Sequence, residues 1–278
     1  MSTIKISYFD LNNICKNPTI IVNAKRGSGK STLVREFMNY FNVVLKYPVC
    51  VLCSYSEKVD PYYSLFLPPA YIYEDCQQML KKVIKRQLNL KSINDRRRKE
   101  NKKLYDERVL VVMDDCISDS KEWKKSPDLS EIFFNGRHYN ITLILVSQDI
   151  VAIPPAFRLN IDIVILFNCD IQEEIKKLFQ YYAGEFNNVQ EFKDTLNVVC
   201  QDFGAMVILK RGFKSKNIED KVFRFKADIN LKPKMFGCLK FQNSNNKYYN
   251  HNWLDEYNKL NFGDGVGYRK KTNIKLIN

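Results

Sequence analysis

The residues with the most explicit chemistry are AKRGSGKS, from Ala24 to Ser31, followed by Thr32. Their spacing is G-x-x-x-x-G-K-[ST], with Ala24 at the first glycine position. Gly27 and Gly29 permit a backbone that wraps around phosphate with successive N–H groups pointing inward. The loop formed by Lys25, Arg26, Gly27, Ser28 and Gly29 would then cradle a nucleoside triphosphate. Lys30 would reach its β- and γ-phosphates. The Ser31 hydroxyl would hold Mg²⁺, and Thr32 would contact the α-phosphate. A helix starting at residue 30 adds the favourable dipole of its N-terminus. Ala24 is compatible with this loop if its backbone stays out of the left-handed region.

Two further constellations complete the chemistry. VLVVMDD, residues 109–115, is an apolar run ending in two carboxylates. At the C-terminal edge of a parallel sheet, such residues meet ligands. Asp114 would share the Mg²⁺ with Ser31, and Asp115 would polarise the water that attacks the γ-phosphate. Two carboxylates are needed because a metal-bound one is a poor base. TLILVSQ, residues 142–148, ends in hydroxyl and amide. Gln148 would hydrogen-bond the attacking water or the γ-phosphate.

These groups need a rigid frame. Continuous Val/Ile/Leu runs at 18–23, 48–54, 109–113, 142–147 and 162–167 read as buried strands. Apolar residues at helical spacing place helices over 30–41, 75–88, 129–135, 172–182 and 189–199. Strands of this kind alternating with helices predict a parallel sheet covered on both faces. Residues 205–210 and 221–225 read as strands of a later sheet or hairpin. The polar stretch 91–108 reads as helix or as solvated loop. Composition shifts near residue 210, which divides the chain into a core (1–210) and a basic, aromatic-rich C-terminal extension (211–278).

Composition narrows the class. With 45% hydrophobic residues, including 18 Phe and 16 Tyr, the chain can pack a core, which excludes global disorder. Its longest apolar runs, such as 109–113, hold five residues, whereas a membrane-spanning helix needs ~20. The N-terminus, MSTIKISYFDLNN, lacks a basic-then-apolar leader, so a cytoplasm-like compartment is expected, with the 8 Cys as reduced thiols. Cys50 and Cys53 form one C-x-x-C, but no second pair exists and only His138 and His251 are present. Core thiols are therefore expected rather than a metal or redox site.

The net charge of +13 is unevenly spread: +2 over residues 1–80, +8 over 81–108, −7 over 109–209 and +10 over 210–278. This asymmetry points to a polyanionic partner, although abundant Lys, Asn and Ile also fit an AT-rich coding bias. NDRRRKENKK, residues 94–103, would bind a phosphate backbone without reading sequence. Its bland alternative is a solvated insertion. The stretch KYYNHNW at 247–253 and YRKK at 268–271 mix aromatics with cations, as a subunit or capsid docking surface, a packing element or a DNA contact would.

AKRGSGKST, VLVVMDD, NGRHYNITLILVSQD and PPAFRLNIDIVILFN, in this order and spacing, resemble the FtsK–HerA superfamily of P-loop NTPases. The most similar branch is the poxvirus-type genome-packaging ATPases of large DNA viruses. The resemblance covers roughly residues 15–210. It implies an α/β, additional-strand, RecA-like fold and an ATP- and Mg²⁺-dependent motor that drives double-stranded DNA into a preformed capsid. It further implies a homo-oligomeric ring, contact with a capsid or portal-vertex protein, no membrane, and a place in the host-cell cytoplasm at the site of assembly or in the virion. Lys30 and Ser31 match the phosphate and Mg²⁺ residues, Asp114 and Asp115 the acidic pair, and Gln148 the polar sensor. Arg137 or Arg158 would serve as an arginine finger acting on a neighbour's γ-phosphate. The competing readings are a plasmid-transfer or repair motor of the same superfamily, and a DNA-binding scaffold with a vestigial nucleotide site.

Overall fold

The computed structural model describes residues 4–116, 126–211, 215, 217–250 and 252. The phosphate-loop strand, β2 (Thr19–Asn23), lies in the middle of a nine-stranded sheet. The other strands are β1 (Ser7–Tyr8), β3 (Cys50–Ser54), β4 (Ile72–Tyr73), β5 (Val109–Asp114), β6 (Ile141–Ser147), β7 (Ile163–Leu166), β8 (Gly204–Leu209) and β9 (Val222–Lys226). Their order is β1-β9-β8-β7-β2-β6-β5-β3-β4. Only β8 runs against the others. The polar-ended strand β6 is itself inserted between the loop strand β2 and the acidic strand β5, which is the additional-strand arrangement.

Every residue of β2, β3, β5, β6, β7 and β8 is buried. This is why these strands are continuous apolar runs rather than alternating ones. Ile21, Val111 and Leu145 feed one face, and Ile20, Val112 and Ile144 feed the other. Helix α1 (Lys30–Val43) turns Leu33, Val34, Phe37, Met38 and Phe41 onto the second face. The first face is covered by α2 (Cys76–Lys99), α3 (Pro127–Asn135), α5 (Gln172–Tyr182) and α6 (Val189–Val199). The one-turn α4 (Pro155–Arg158) sits between β6 and β7, and α7 (Leu239–Tyr248) closes the described chain.

Two expectations change. The helix foreseen over 75–88 runs on to Lys99. Its inward stripe continues past Val83, but through the buried amides Gln87 and Asn94. Asn94 clamps the returning segment at two points: its Nδ2 donates to the Tyr105 carbonyl and its Oδ1 accepts from the Tyr105 N–H, each at 2.9 Å. Apolar periodicity cannot register a stripe made of amides, so the sequence left 91–108 undecided.

The strands β8 and β9 form the hairpin rather than a later sheet, and they extend this sheet past β7. The β8–β9 pair crosses the composition boundary near 210, and Phe225, Phe236 and Phe241 are buried. The chain after β9 is stitched over α1. Arg35 donates to the carbonyls of Asp228 and Ile229, both at 3.0 Å, and Asn42 to those of Lys234 and Met235, both at 3.1 Å. His251, Trp253 and 268–271 lie outside the described residues. Among the described residues, no helix is long and apolar enough to cross a membrane.

Candidate nucleotide site

The parallel register brings the polar ends of several strands to one edge. Asn23 pairs with Ser147, and Ser54 with Asp114. From that edge the loop leaves β2 and opens α1. Gly27 (φ 76°) and Gly29 (φ 95°) both occupy the left-handed region, which explains glycine at these positions. Ala24 does not share that conformation: it is buried in the core and donates its N–H to the Ser147 carbonyl at 3.3 Å. The departure from the motif is thus accommodated without strain. Ser28 steadies the loop by donating its hydroxyl to the Lys25 carbonyl at 2.8 Å, and the Lys25 ammonium faces Glu174 at 3.8 Å.

Lys30 bridges the acidic pair. Its Nζ contacts Asp115 Oδ2 and lies 3.2 Å from Asp114 Oδ1. Gln148 Nε2 donates to Asp115 Oδ2 at 3.2 Å. Lys30, Asp114, Asp115 and Gln148, four of the side chains that the sequence assigned to phosphate, metal and water, are therefore together. Asp115 has φ 51°, a left-handed conformation in a non-glycine residue that costs roughly 1–2 kcal/mol. Its N–H is held by the Val146 carbonyl at 3.1 Å, and this pins the carboxylate beside the loop.

Asp114 is buried, and Tyr63 donates to its Oδ2 at 2.7 Å. Burial, then the Asp114 charge, raises the Tyr63 pKa well above the usual phenol range, so the hydroxyl stays a donor. Oδ1 is buried and, among the described residues, receives no hydrogen bond, while the Lys30 ammonium lies 3.2 Å away. An anionic oxygen in that state fits a hard cation bound through oxygen ligands. Ser31, on the wall of the adjoining cavity, carries a hydroxyl that would suit such a site. Tyr63 was not anticipated; no motif marks a tyrosine in the PYYSLFLPP loop.

A cavity of about 540 Å³ adjoins the loop, within the range of small-ligand sites. Arg26, Gly27, Gly29, Lys30, Ser31 and Thr32 line one side. Phe203, Lys226, Ala227 and Ile229, from outside the loop, complete the lining as a second wall, with Phe203 against Gly29. None of that second wall was singled out from the sequence.

The two arginines lie elsewhere in their own chain. Arg137 is exposed on the turn Gly136–Tyr139, just before β6, and so at the opposite end of that strand from Ser147. Arg158 precedes β7, whose first residue pairs with the start of β2, and its guanidinium stacks on Tyr181 at 3.7 Å. The fold brings neither to the loop of the same chain.

The C-x-x-C residues part company. Cys50 faces one core layer and Cys53 the other. Cys53 instead meets Cys76 and Cys116, with all three sulfurs within 4.8 Å of one another. Cys116 donates to the carbonyls of Cys53 (2.9 Å) and Asp114 (3.2 Å). Hydrogen bonds from Cys116 and Cys76 lower the Cys53 pKa, and contacts with Cys53 and Cys76, then burial, raise that of Cys116.

A parallel sheet with an inserted strand, a glycine loop opening a helix, and a lysine seated on a strand-end carboxylate pair define a P-loop NTPase fold. The structural comparison agrees. The genome packaging NTPase B204 from Sulfolobus turreted icosahedral virus 2 superposes over 78% of this chain and all of its own. The TM-score is 0.54 for its sulfate complex and 0.51 for its ATPγS complex, both at 13% identity.

Residues 6–212 match the family described as Poxvirus A32 protein, and the chain belongs to that family. The uncharacterized protein L437 of Acanthamoeba polyphaga mimivirus is 36% identical over 273 residues, covering 96% of this chain and 94% of its own length. The uncharacterized protein 075L of Invertebrate iridescent virus 6 is 29% identical over 240 residues, covering 84% and 87% respectively.

Proposed function

We propose that this chain is an ATP-hydrolysing motor that drives double-stranded DNA into a preformed viral capsid, working as a homo-oligomeric ring. One observation carries the reading: Lys30, both carboxylates of the β5 end and the Gln148 amide meet at the C-terminal edge of a parallel sheet. Hydrolysis of a γ-phosphate needs a cation on the phosphates, a carboxylate for metal, and a second polar group for water. Phosphate oxygens would replace the carboxylates as partners of Lys30 and release Asp115 toward the attacking water. Asp115 then accepts that water's proton while Gln148 fixes its orientation. Asp114, aligned by Tyr63, and Ser31 would hold Mg²⁺, which when bound neutralises charge on the phosphates.

Arg137 and Arg158 lie away from their own loop, so the site either would serve is that of a neighbouring subunit. A finger in trans ties hydrolysis to ring assembly and is worth ~10³–10⁵ in rate. Exposed Arg96, Arg98 and Lys99 at the end of α2 offer a cationic tip for the DNA backbone. The capsid or portal-vertex protein is the remaining partner, and the host-cell cytoplasm at the assembly site, or the virion, the location. The family and the likeness to a packaging NTPase fold support this reading.

The test is ATP turnover with and without linear duplex DNA. DNA should raise the rate, and Asp115→Asn should abolish both rates. A protein that binds ATP yet never turns it over, with DNA present and rings formed, would sink the proposal. Subunit mixing examines the finger: Arg137→Ala subunits should regain activity when mixed with Lys30→Ala subunits. Mixed rings no more active than either parent exclude Arg137, and the same experiment with Arg158→Ala then decides its case.

A further inference from the structure

Phe203 is placed in a way its own chemistry does not favour. It is 70% exposed, although it is a phenylalanine. It and Asp202 both have left-handed backbones, φ 61° and 53°, which non-glycine residues rarely adopt. The neighbouring structure imposes this. Gly204 packs so tightly that a Cβ would stand 2.3 Å from the Val199 carbonyl, and Arg224 donates to the Gln201 carbonyl at 2.9 Å. The contortion presents the ring at the phosphate loop: Phe203 Cδ1 lies 3.7 Å from where a Gly29 Cβ would be.

Ile229, 76% exposed, stands on the wall of the same cavity. The backbone beside it is already engaged. The carbonyls of Asp228 and Ile229 accept from Arg35, and the Asp228 N–H donates to Glu36 at 2.6 Å. The Asp228 N–H is thereby used, and both carbonyls are engaged by the Arg35 guanidinium. Lys226 has donors only: at N7 it would suit both purines, and only a contact at position 6 would favour guanine. Beside them the cavity offers a base a ring and a branched aliphatic side chain.

We propose that Phe203 and Ile229 form a nucleobase subsite that holds a purine by stacking and apolar contact rather than by hydrogen-bond readout. Held by stacking, adenine and guanine nucleotides both fit, with Lys226 able to add at most a modest preference for guanine. This rests on the loop being a triphosphate site. Stacking is tolerant of base identity because every base has a π-face.

Calorimetric titration with AMPPCP, GMPPCP and inorganic tripolyphosphate tests the subsite without relying on turnover. The wild type should bind the two purine analogues within about tenfold of each other. Phe203→Ala should weaken both by ~10–100-fold, the range for losing an aromatic stacking partner, and leave tripolyphosphate unchanged. Phe203→Gly, which also relieves the backbone, should match Phe203→Ala, and Phe203→Trp should restore affinity. Unchanged purine affinity in Phe203→Ala would overturn the subsite. A parallel loss of tripolyphosphate binding would overturn it too, by showing that the ring merely supports the loop. A hundredfold preference for one purine would overturn stacking without readout. Lys30→Ala tests the underlying reading separately: if it bound all three probes like the wild type, the triphosphate site itself would be misplaced.

Discussion

At the phosphate end of the cleft, residues 24–32 come from one unbroken stretch of chain. At the base end, Phe203, Lys226 and Ile229 arrive from the turn before β8, the end of β9 and the segment stitched onto α1. The two ends meet different demands. Phosphate is held by consecutive backbone N–H groups, which only a continuous loop of fixed conformation can supply. A base needs only a flat apolar surface, which any segment can provide once the fold carries it there. Rigidity differs likewise. The loop's left-handed positions are glycines, whereas the left-handed positions at 202 and 203 are an aspartate and a phenylalanine held by their surroundings.

That contrast is most sharply tested by Lys30→Ala. It should cost at least ~100-fold in triphosphate affinity, since it removes a charge-assisted partner of the phosphates, while Phe203 variants leave tripolyphosphate untouched. Comparable losses of tripolyphosphate binding in both would erase the division between the ends.

Next in size is Tyr63→Phe. It leaves buried Asp114 Oδ2 without its donor and should destabilise the fold by about 1.5–3 kcal/mol in urea unfolding. It should also raise the Mg²⁺ concentration needed for half-maximal turnover. Wild-type stability and Mg²⁺ dependence together would show that Tyr63 does not orient Asp114.

Gly204→Ala attacks the base end from behind. The Val199 carbonyl must yield, so a loss of about 1–3 kcal/mol is expected from overpacking. AMPPCP affinity should fall while tripolyphosphate affinity holds. If both ligands bound as before, the turn would not be what positions Phe203.

The smallest effect is electrostatic and lies outside the cleft. Replacing Arg96, Arg97 and Arg98 by Gln should flatten the salt dependence of duplex binding by roughly 0.9 for each DNA phosphate no longer neutralised. Arg97 contributes least, because it is half-buried, stacks on Tyr105 at 4.3 Å and donates to the Lys103 carbonyl at 2.6 Å. An unchanged slope would leave this helix end as a solvated tip.

The phosphate end is legible in residue order alone. Strand, glycine loop, helix and strand-end carboxylates are local features, each written in residues close to one another. Hydrophobic runs and apolar spacing likewise mark the strands and helices that carry them. It takes the folded chain to place β6 between β2 and β5, to continue the same sheet through β8 and β9, and to run α2 on through Gln87 and Asn94. Folding also makes the partnerships that no motif announces: Tyr63 on Asp114, the Cys53, Cys76 and Cys116 cluster, and Phe203 over Gly29. The reason is the range of the interactions. Backbone conformation and burial pattern are set within a few residues. A side-chain contact across 51 positions, as between Tyr63 and Asp114, exists only after the strands have chosen their neighbours.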